Sequence, residues 1–464
     1  MPEFETRLEI GHPADRVFAW HDRPGALLRL FPPWWSVRVV SGPARLSAGD
    51  RVVLRIGTGP VRVTSEFERA EMDPAGLIVD RQVRGPFERW RHTHRLEPIA
   101  GGGTALVDAV EWRGPAGPLG ALIGPAQIRR ELTRIFEFRA RRIDRDLSLM
   151  QRYGTDDGAR VAVTGSTGLI GTAISSQLEV AGYRVVRISR SHPPPGRSAD
   201  WIRWDPASGR LPAGALEGAR AVVHLAGETI AGLRWTPAKK RRIVESRQKG
   251  TDLVSRTLAG LGHPPRVLLV ASAVGFYGDR GEEWLTEKSG PGTGFLAEVC
   301  RKWETAADPA RRVGIRTVHM RTGLVLSPAG GALGQLLLPF RMGLGGRIGA
   351  GRQYVSWIDL DDHTGLALHA ISATALRGAV NAVSPAPLTN AAFTDVLGRV
   401  LRRPTLLPVP RAVLRGVAGE MGVELLLSGQ RAVPAEALRT GYEFRFPDLE
   451  LSLRHQLGSP EASR

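Results

Sequence analysis

Val161-Ala162-Val163-Thr164 runs straight into Gly165-Ser166-Thr167-Gly168-Leu169-Ile170-Gly171, and this junction constrains the fold of the 464-residue chain more than any other feature. The first four residues read as a short buried strand. The stretch 172–181 then carries helical periodicity, Gly182-Tyr183 makes a turn, and 184–188 reads as a second strand. Gly165 permits a tight turn, Gly168 lets backbone N–H groups approach a pyrophosphate, and Gly171 lets the helix pack against the strand with its positive end on the phosphates. A glycine triplet alone is weak; set between a strand and a helix, with a second strand at this distance, it points to a dinucleotide-binding unit. The alternative is a fortuitous glycine-rich turn.

The end of the second strand selects between cofactors. An NAD site places Asp or Glu there to hold the ribose 2′-hydroxyl. This chain has Ser189, Arg190 and Ser191 instead. No carboxylate repels a 2′-phosphate, and Arg190 is placed to clamp one, so NADP(H) is the expected cofactor. The competing reading of Arg190 is an ordinary surface arginine.

From Arg160 onward strands alternate with helices, which implies a parallel sheet. Residues 1–150 read differently: a strand at 4–10, an apolar helical stretch at 15–30, then alternating segments at 36–40, 51–56, 61–68, 77–83, 88–96 and 104–112. A Gly/Pro loop at 115–125 and an amphipathic helix over 128–150 follow. The expected organisation is an α+β domain (1–150), a polar linker (151–159), an α/β doubly wound parallel-sheet domain (160–405) and a small C-terminal domain (406–464). The net charge of +17 suggests nucleic acid at first sight. The basic residues are almost all arginines spread through every segment, so no nucleic-acid partner is expected. No apolar run approaches the roughly 18–20 residues of a bilayer span. The N-terminus lacks a signal-peptide layout, and Cys300 is the one cysteine, so a cytoplasmic setting is expected.

The N-terminal order of strand, helix, antiparallel meander and long helix resembles the START-like (SRPBCC, helix-grip) superfamily, as do Phe31-Pro32-Pro33-Trp34-Trp35 and the segment 85–94. That resemblance implies a curved sheet wrapped on the long helix around a cavity for an apolar ligand. Trp34, Trp35, Trp90, Trp112, His92 and His94 are candidate cavity residues; the bland reading is sheet core. His92 and His94, two apart, share one strand face.

The 165–171 loop also resembles extended short-chain dehydrogenase/reductases with a Rossmann fold. Further strings narrow the likeness to the atypical "epimerase family" reductases: Val222 to Glu228, Arg234-Trp235-Thr236, Ser246-Arg247, Ala271 to Gly278, Phe295 to Glu304, Arg321 to Ser327 and Ser356 to Asp362. The segments 431–434 and 441–444 resemble that family's terminal domain. The resemblance implies cofactor contacts from Leu225, Ala226, Gly227, Arg247, Ala271 and Arg321, beside Ser166, Thr167, Leu169 and Ile170 of the loop. A structural ion pair is the other reading of Arg321. The superfamily's Tyr and Lys, four apart on a helix, are replaced here by Leu296 and Cys300, so the usual proton relay is missing.

Ser272, at the end of the strand 267–270, and Tyr277 are the remaining catalytic candidates, with Tyr277 donating a proton and Ser272 orienting a substrate. The alternative is a packing tyrosine in a Tyr-Gly turn. Glu228 is a candidate for substrate binding or helix capping. Gln353 and Trp357 belong to a Gly-rich segment that can form a substrate lid. Asp361 and Asp362 are expected to cap a helix. The histidines show no metal-ligand spacing, so no metal is expected. Two functions stand open: an NADP(H)-dependent oxidoreductase or epimerase-like enzyme on a small or apolar substrate, and a non-catalytic NADP(H) sensor acting through the first domain or a protein partner. Neither the substrate nor the oligomeric state is legible.

Overall fold

A computed structural model of the protein describes residues 3–58, 61–115, 124–153, 158–193, 200–232 and 234–459. Most of the expected loop at 115–125 and residues 154–157 of the expected linker lie outside them. Two compact units emerge: residues 1–158 with 175–184 and 193–200, and residues 159–174, 185–192 and 201–464.

The first unit is built on a seven-stranded sheet of order β1-β7-β6-β5-β4-β3-β2. Its strands are β1 (Glu3–Ile10), β2 (Ser36–Ser41), β3 (Arg51–Thr58), β4 (Val61–Asp73), β5 (Leu77–Arg84), β6 (Phe87–Pro98) and β7 (Thr104–Pro115), and every pairing is antiparallel. The helix Pro125–Tyr153 lays Leu132, Ile135, Phe136, Ile143 and Leu147 into the core, so its apolar stripe has the period the sequence shows. Phe4 of β1 stacks on Phe136 at 5.8 Å, fixing helix to sheet. The helical stretch expected over 15–30 is broken into Ala14–His21 and Ala26–Arg29. Pro24 and Gly25 stand in the gap, and a proline without an N–H cannot continue a helix.

The second unit carries a parallel sheet: β8 (Arg160–Thr164), β9 (Arg184–Ser189), β10 (Trp201–Arg203), β11 (Ala221–His224), β12 (Val267–Ala273), β13 (Arg316–Thr322) and β14 (Gly378–Ala382). Their order, β10-β9-β8-β11-β12-β13-β14, is doubly wound about β8. The central strands β8, β11 and β12 are short, mainly apolar runs buried on both faces, as such sheets demand. The C-terminal segment is joined to this unit by its own pairing, Trp284–Leu285 with Arg431–Ala432. Asp362 accepts the N–H groups of Arg445 and Phe446 at 3.0 and 2.8 Å, and Tyr442 Oη donates to the Asp362 carbonyl at 2.8 Å. Capping of the helix Leu360–Ser372 falls to Asp359, which accepts from the Asp361 N–H at 2.8 Å. Asp361 pairs instead with His455 at 2.9 Å. The expected capping role therefore moves one turn edge back, because Asp361 and Asp362 are drawn to the C-terminal segment.

Candidate cofactor site and its polar network

The loop after β8 lies at the switch point of the sheet, between β8 and β11, where open α/β sheets bind ligands. Gly165 has φ +68°, and a Cβ there would lie 3.0 Å from Ala226 N and Leu225 C. Gly171 is tighter still: its Cβ would stand 2.1 Å from the Gly165 carbonyl oxygen. The helix Leu169–Val180 can reach its place against the strand only with glycine here. Thr164 Oγ1 accepts from the N–H groups of Leu225 and Ala226 at 3.1 and 3.2 Å, tying the ends of β8 and β11 together. Ser166 is buried, and its hydroxyl has no hydrogen-bond partner among the described residues. A buried hydroxyl beside a helix N-terminus fits a ligand phosphate oxygen. Thr167, Gly168 and Ile170 complete the loop, with Gly168 N–H donating to the Gly165 carbonyl at 3.0 Å.

Ser189 ends β9, its hydroxyl accepting from the Ser191 N–H at 3.1 Å, and Arg190 is exposed beyond it. Ser189, Arg190 and Ser191, none of them a carboxylate, occupy this strand end. Glu228 is neither free nor a helix cap. Its carboxylate accepts from Lys239 Nζ at 2.7 Å, and that bond, with further help from Arg242 and Arg190, holds it below the usual carboxylate range. Gly227 lies against Arg247, whose Nη1 donates to the Glu228 carbonyl at 2.9 Å, while Nε is buried without a partner among the described residues. Burial brings the Arg247 guanidinium down to about 10.

Behind Ala271, at the end of β12, the candidate catalytic residues form one buried network. Ser272 Oγ donates to Glu304 Oε1 at 2.7 Å. Arg321 donates from Nε and Nη2 to the two Glu304 oxygens, each at 2.9 Å, and from Nη1 to Tyr277 Oη at 3.1 Å. Tyr277 Oη in turn donates to Asn381 Oδ1 at 2.7 Å. Tyr277 is fully buried in a cluster with Val274, Phe276, Leu285 and Cys300. Burial raises its pKa above the ordinary value despite Arg321, which makes it a weaker acid. Burial would raise Glu304 as well, but Arg321 more than offsets this and holds it low. Cys300 is pushed up to about 12 by burial and then by Glu304.

Tyr277, expected as a proton donor or a packing residue, thus has its hydroxyl proton on Asn381 and accepts from Arg321, while Arg321 is ion-paired with Glu304 and Ser272 also donates to Glu304. Trp357 is fully buried, with Nε1 donating to the Ala386 carbonyl at 3.0 Å, and forms part of a core cluster. Gln353 Nε2 donates to the carbonyls of Ile348 and Leu426 at 3.1 and 2.9 Å, tying the loop at Ile348 to the helical turn Val423–Leu427. Sequence reasoning missed Glu304 as the centre of this network, and missed Asn381. A lone polar residue in the buried strand Gly378–Ala382 was the available signal for the second.

Chain spacing shows no metal motif, yet among the described residues the fold gathers two trios whose ligand atoms lie within 4.8 Å of one another: Asp80, His92 and His94, and Asp359, Asp361 and His455. The first lies at a cavity of about 300 Å³ in the first unit, lined by Trp35 and Trp90 among others. Trp112 is buried core, and Trp34 donates to Glu131 at 2.9 Å.

Comparison with known proteins gives three matched segments. The NAD dependent epimerase/dehydratase family matches residues 161–382, the polyketide cyclase/dehydrase and lipid transport family residues 10–138, and a domain of unknown function (DUF1731) residues 409–456. Epimerase family protein Mb2239 of Mycobacterium bovis is 44% identical over 286 residues, 62% of this chain and 93% of that protein. Human epimerase family protein SDR39U1 is 38% identical over 300 residues, 64% of this chain and 98% of that protein. Its crystal structure with NADPH superposes with a TM-score of 0.58 at 36% identity, covering 64% of this chain and 99% of that one. A nucleoside-diphosphate sugar epimerase from Corynebacterium glutamicum superposes over 98% of this chain and 90% of its own, with a TM-score of 0.78 and 32% identity.

Proposed function

This chain belongs to the NAD dependent epimerase/dehydratase family, in an SDR39U1-like form with an N-terminal domain of the polyketide cyclase type, and from that premise we propose that it is an NADP(H)-binding protein that reports cofactor state through its first domain. NADP(H) binding is supported by the human relative solved with NADPH and by the fit of the loop here. Ser166 Oγ and the backbone of 165–171 would hold the phosphates, and Arg190 would hold the 2′-phosphate. When bound, the cofactor would offer hydride chemistry at its nicotinamide. The observation that carries the sensor reading is the closed network: Tyr277 is bonded on both sides and buried, and Leu296 and Cys300 supply no proton.

One observation favours a second reading, an oxidoreductase or epimerase-like enzyme on a small molecule. It is the likeness over nearly the whole chain to a protein described as a nucleoside-diphosphate sugar epimerase. The test is a screen of NADPH-loaded protein against carbonyl compounds and nucleotide sugars, following the nicotinamide absorbance. Turnover of any of them, lost in a Tyr277→Phe variant of unchanged stability, defeats the sensor reading. The first domain is proposed to hold an apolar ligand, supported by its cavity. A cytoplasmic setting is proposed too; no helix among the described residues is long and apolar enough to cross a membrane.

A further inference from the structure

The cavity of the first unit is not uniformly apolar. Leu54, Ile56, Phe67, Leu132, Ile135 and Phe136 make its walls, while Arg69, Asp80, His92, His94 and Arg139 line one region. Charges buried in such a place must be matched. Arg69 of β4 donates to Asp80 of β5 from Nε at 2.6 Å. His94 Nδ1 and His92 Nε2, both on β6, meet Asp108 Oδ1 of β7 at 2.6 and 2.9 Å. His94 Nε2 lies 3.8 Å from Asp80. Burial lowers His94, but Asp108 and Asp80 outweigh it and favour its cation. Burial and the neighbouring His94 bring His92 down to about 4, and the same two causes bring His21 of the first helix down to about 3, so both stay neutral.

That arrangement leaves Arg139, on the long helix. Its Nε donates to the Leu30 carbonyl at 3.0 Å, and Phe136 lies against it at 5.3 Å. Among the described residues no carboxylate comes within pairing distance of it, and its two terminal nitrogens have no hydrogen-bond partner. Asp80 and Asp108 attract it from a distance, but each is already committed to Arg69 or the histidines. The cavity therefore holds a guanidinium with no paired carboxylate among the described residues, and Arg139 offers a planar fork of the kind that binds a carboxylate.

We propose that this cavity binds an amphipathic monoanion, with an apolar body along the sheet and the helix and a single carboxylate head on Arg139. The inference rests on the proposal that the first domain holds an apolar ligand. It also separates the site from the cation alternative: a metal at Asp80, His92 and His94 would add positive charge beside Arg69 and Arg139.

The full-length protein is titrated with decanoate and with 1-decanol of the same chain length, read by calorimetry and by the fluorescence of Trp35 and Trp90. The expected result is one decanoate per chain, bound about tenfold or more tighter than decanol, as a charge-assisted pair in a dry site allows. Arg139→Leu brings the two ligands to within about twofold while decanol still binds, and Arg139→Lys keeps part of the preference. Retained decanol binding shows that the cavity is folded; if Arg139→Leu does not fold, the lysine variant decides. Equal wild-type affinities overturn the anionic head and leave the apolar-ligand domain standing. Failure of both ligands to bind overturns that domain reading and this one with it. A decanoate preference surviving in Arg139→Leu, or stoichiometric Zn²⁺ that excludes decanoate, also overturns it.

Discussion

At the scale of single residues, Gly171 and Tyr277 show how differently two conspicuous positions are constrained. A methyl group at Gly171 would stand 2.1 Å from a backbone oxygen, which nothing flexible can relieve. Gly171→Ala is therefore expected to displace the helix, to cost about 1–3 kcal/mol as overpacking does, and to abolish measurable NADPH binding. Calorimetric titration and a melting curve check both. Tyr277→Phe strands Asn381 and Arg321 in a buried network, with an expected loss of about 1–3 kcal/mol and NADPH affinity unchanged. A proton donor would behave oppositely, with stability intact and turnover lost. Arg190→Ala should weaken NADPH selectively, leaving NADH where it was. The glycine loop was legible because its constraint is local. Tyr277 was not, since Asn381 and Arg321 lie 104 and 44 residues away, and only sheet order brings them together.

At the scale of elements, the N-terminus of the helix Leu360–Ser372 concentrates charge in the interior. Asp359 is buried beside Asp361 and Asp362, and burial first, then those neighbours, raise it to about 8. With the folded-state value raised in this way, its contribution is present below the ordinary value of 3.8 and is lost as pH rises through about 8. Asp359→Asn keeps an oxygen for the Asp361 N–H and removes the charge. Its melting temperature relative to wild type is expected to climb across that window; a flat difference contradicts the assignment. Periodicity exposed the helices and strands themselves, including the long helix of the first unit. It was silent about the Asp80–His92–His94–Asp108 cluster, because three strands contribute and only the two-residue spacing of the histidines lies within one of them. The break at Pro24-Gly25 was legible in principle, since proline outweighs apolar spacing.

At the scale of the whole molecule, relatives such as Mb2239 correspond over 93% of their length to about three-fifths of this chain. A polypeptide of residues 159–464, the part that such relatives match over nearly their whole length, is accordingly expected to fold and to bind NADPH within about threefold of the full chain's affinity. The cleft at the switch point is an NADP(H) site, chosen by the loop 165–171 and by Ser189 and Arg190 at the end of β9. The direct measurement is a paired titration of the full-length protein with NADPH and NADH, followed by intrinsic tryptophan fluorescence. NADPH is predicted to bind about tenfold or more tighter, the difference arising from the 2′-phosphate on Arg190; equal affinities, or tighter binding of NADH, would contradict the account.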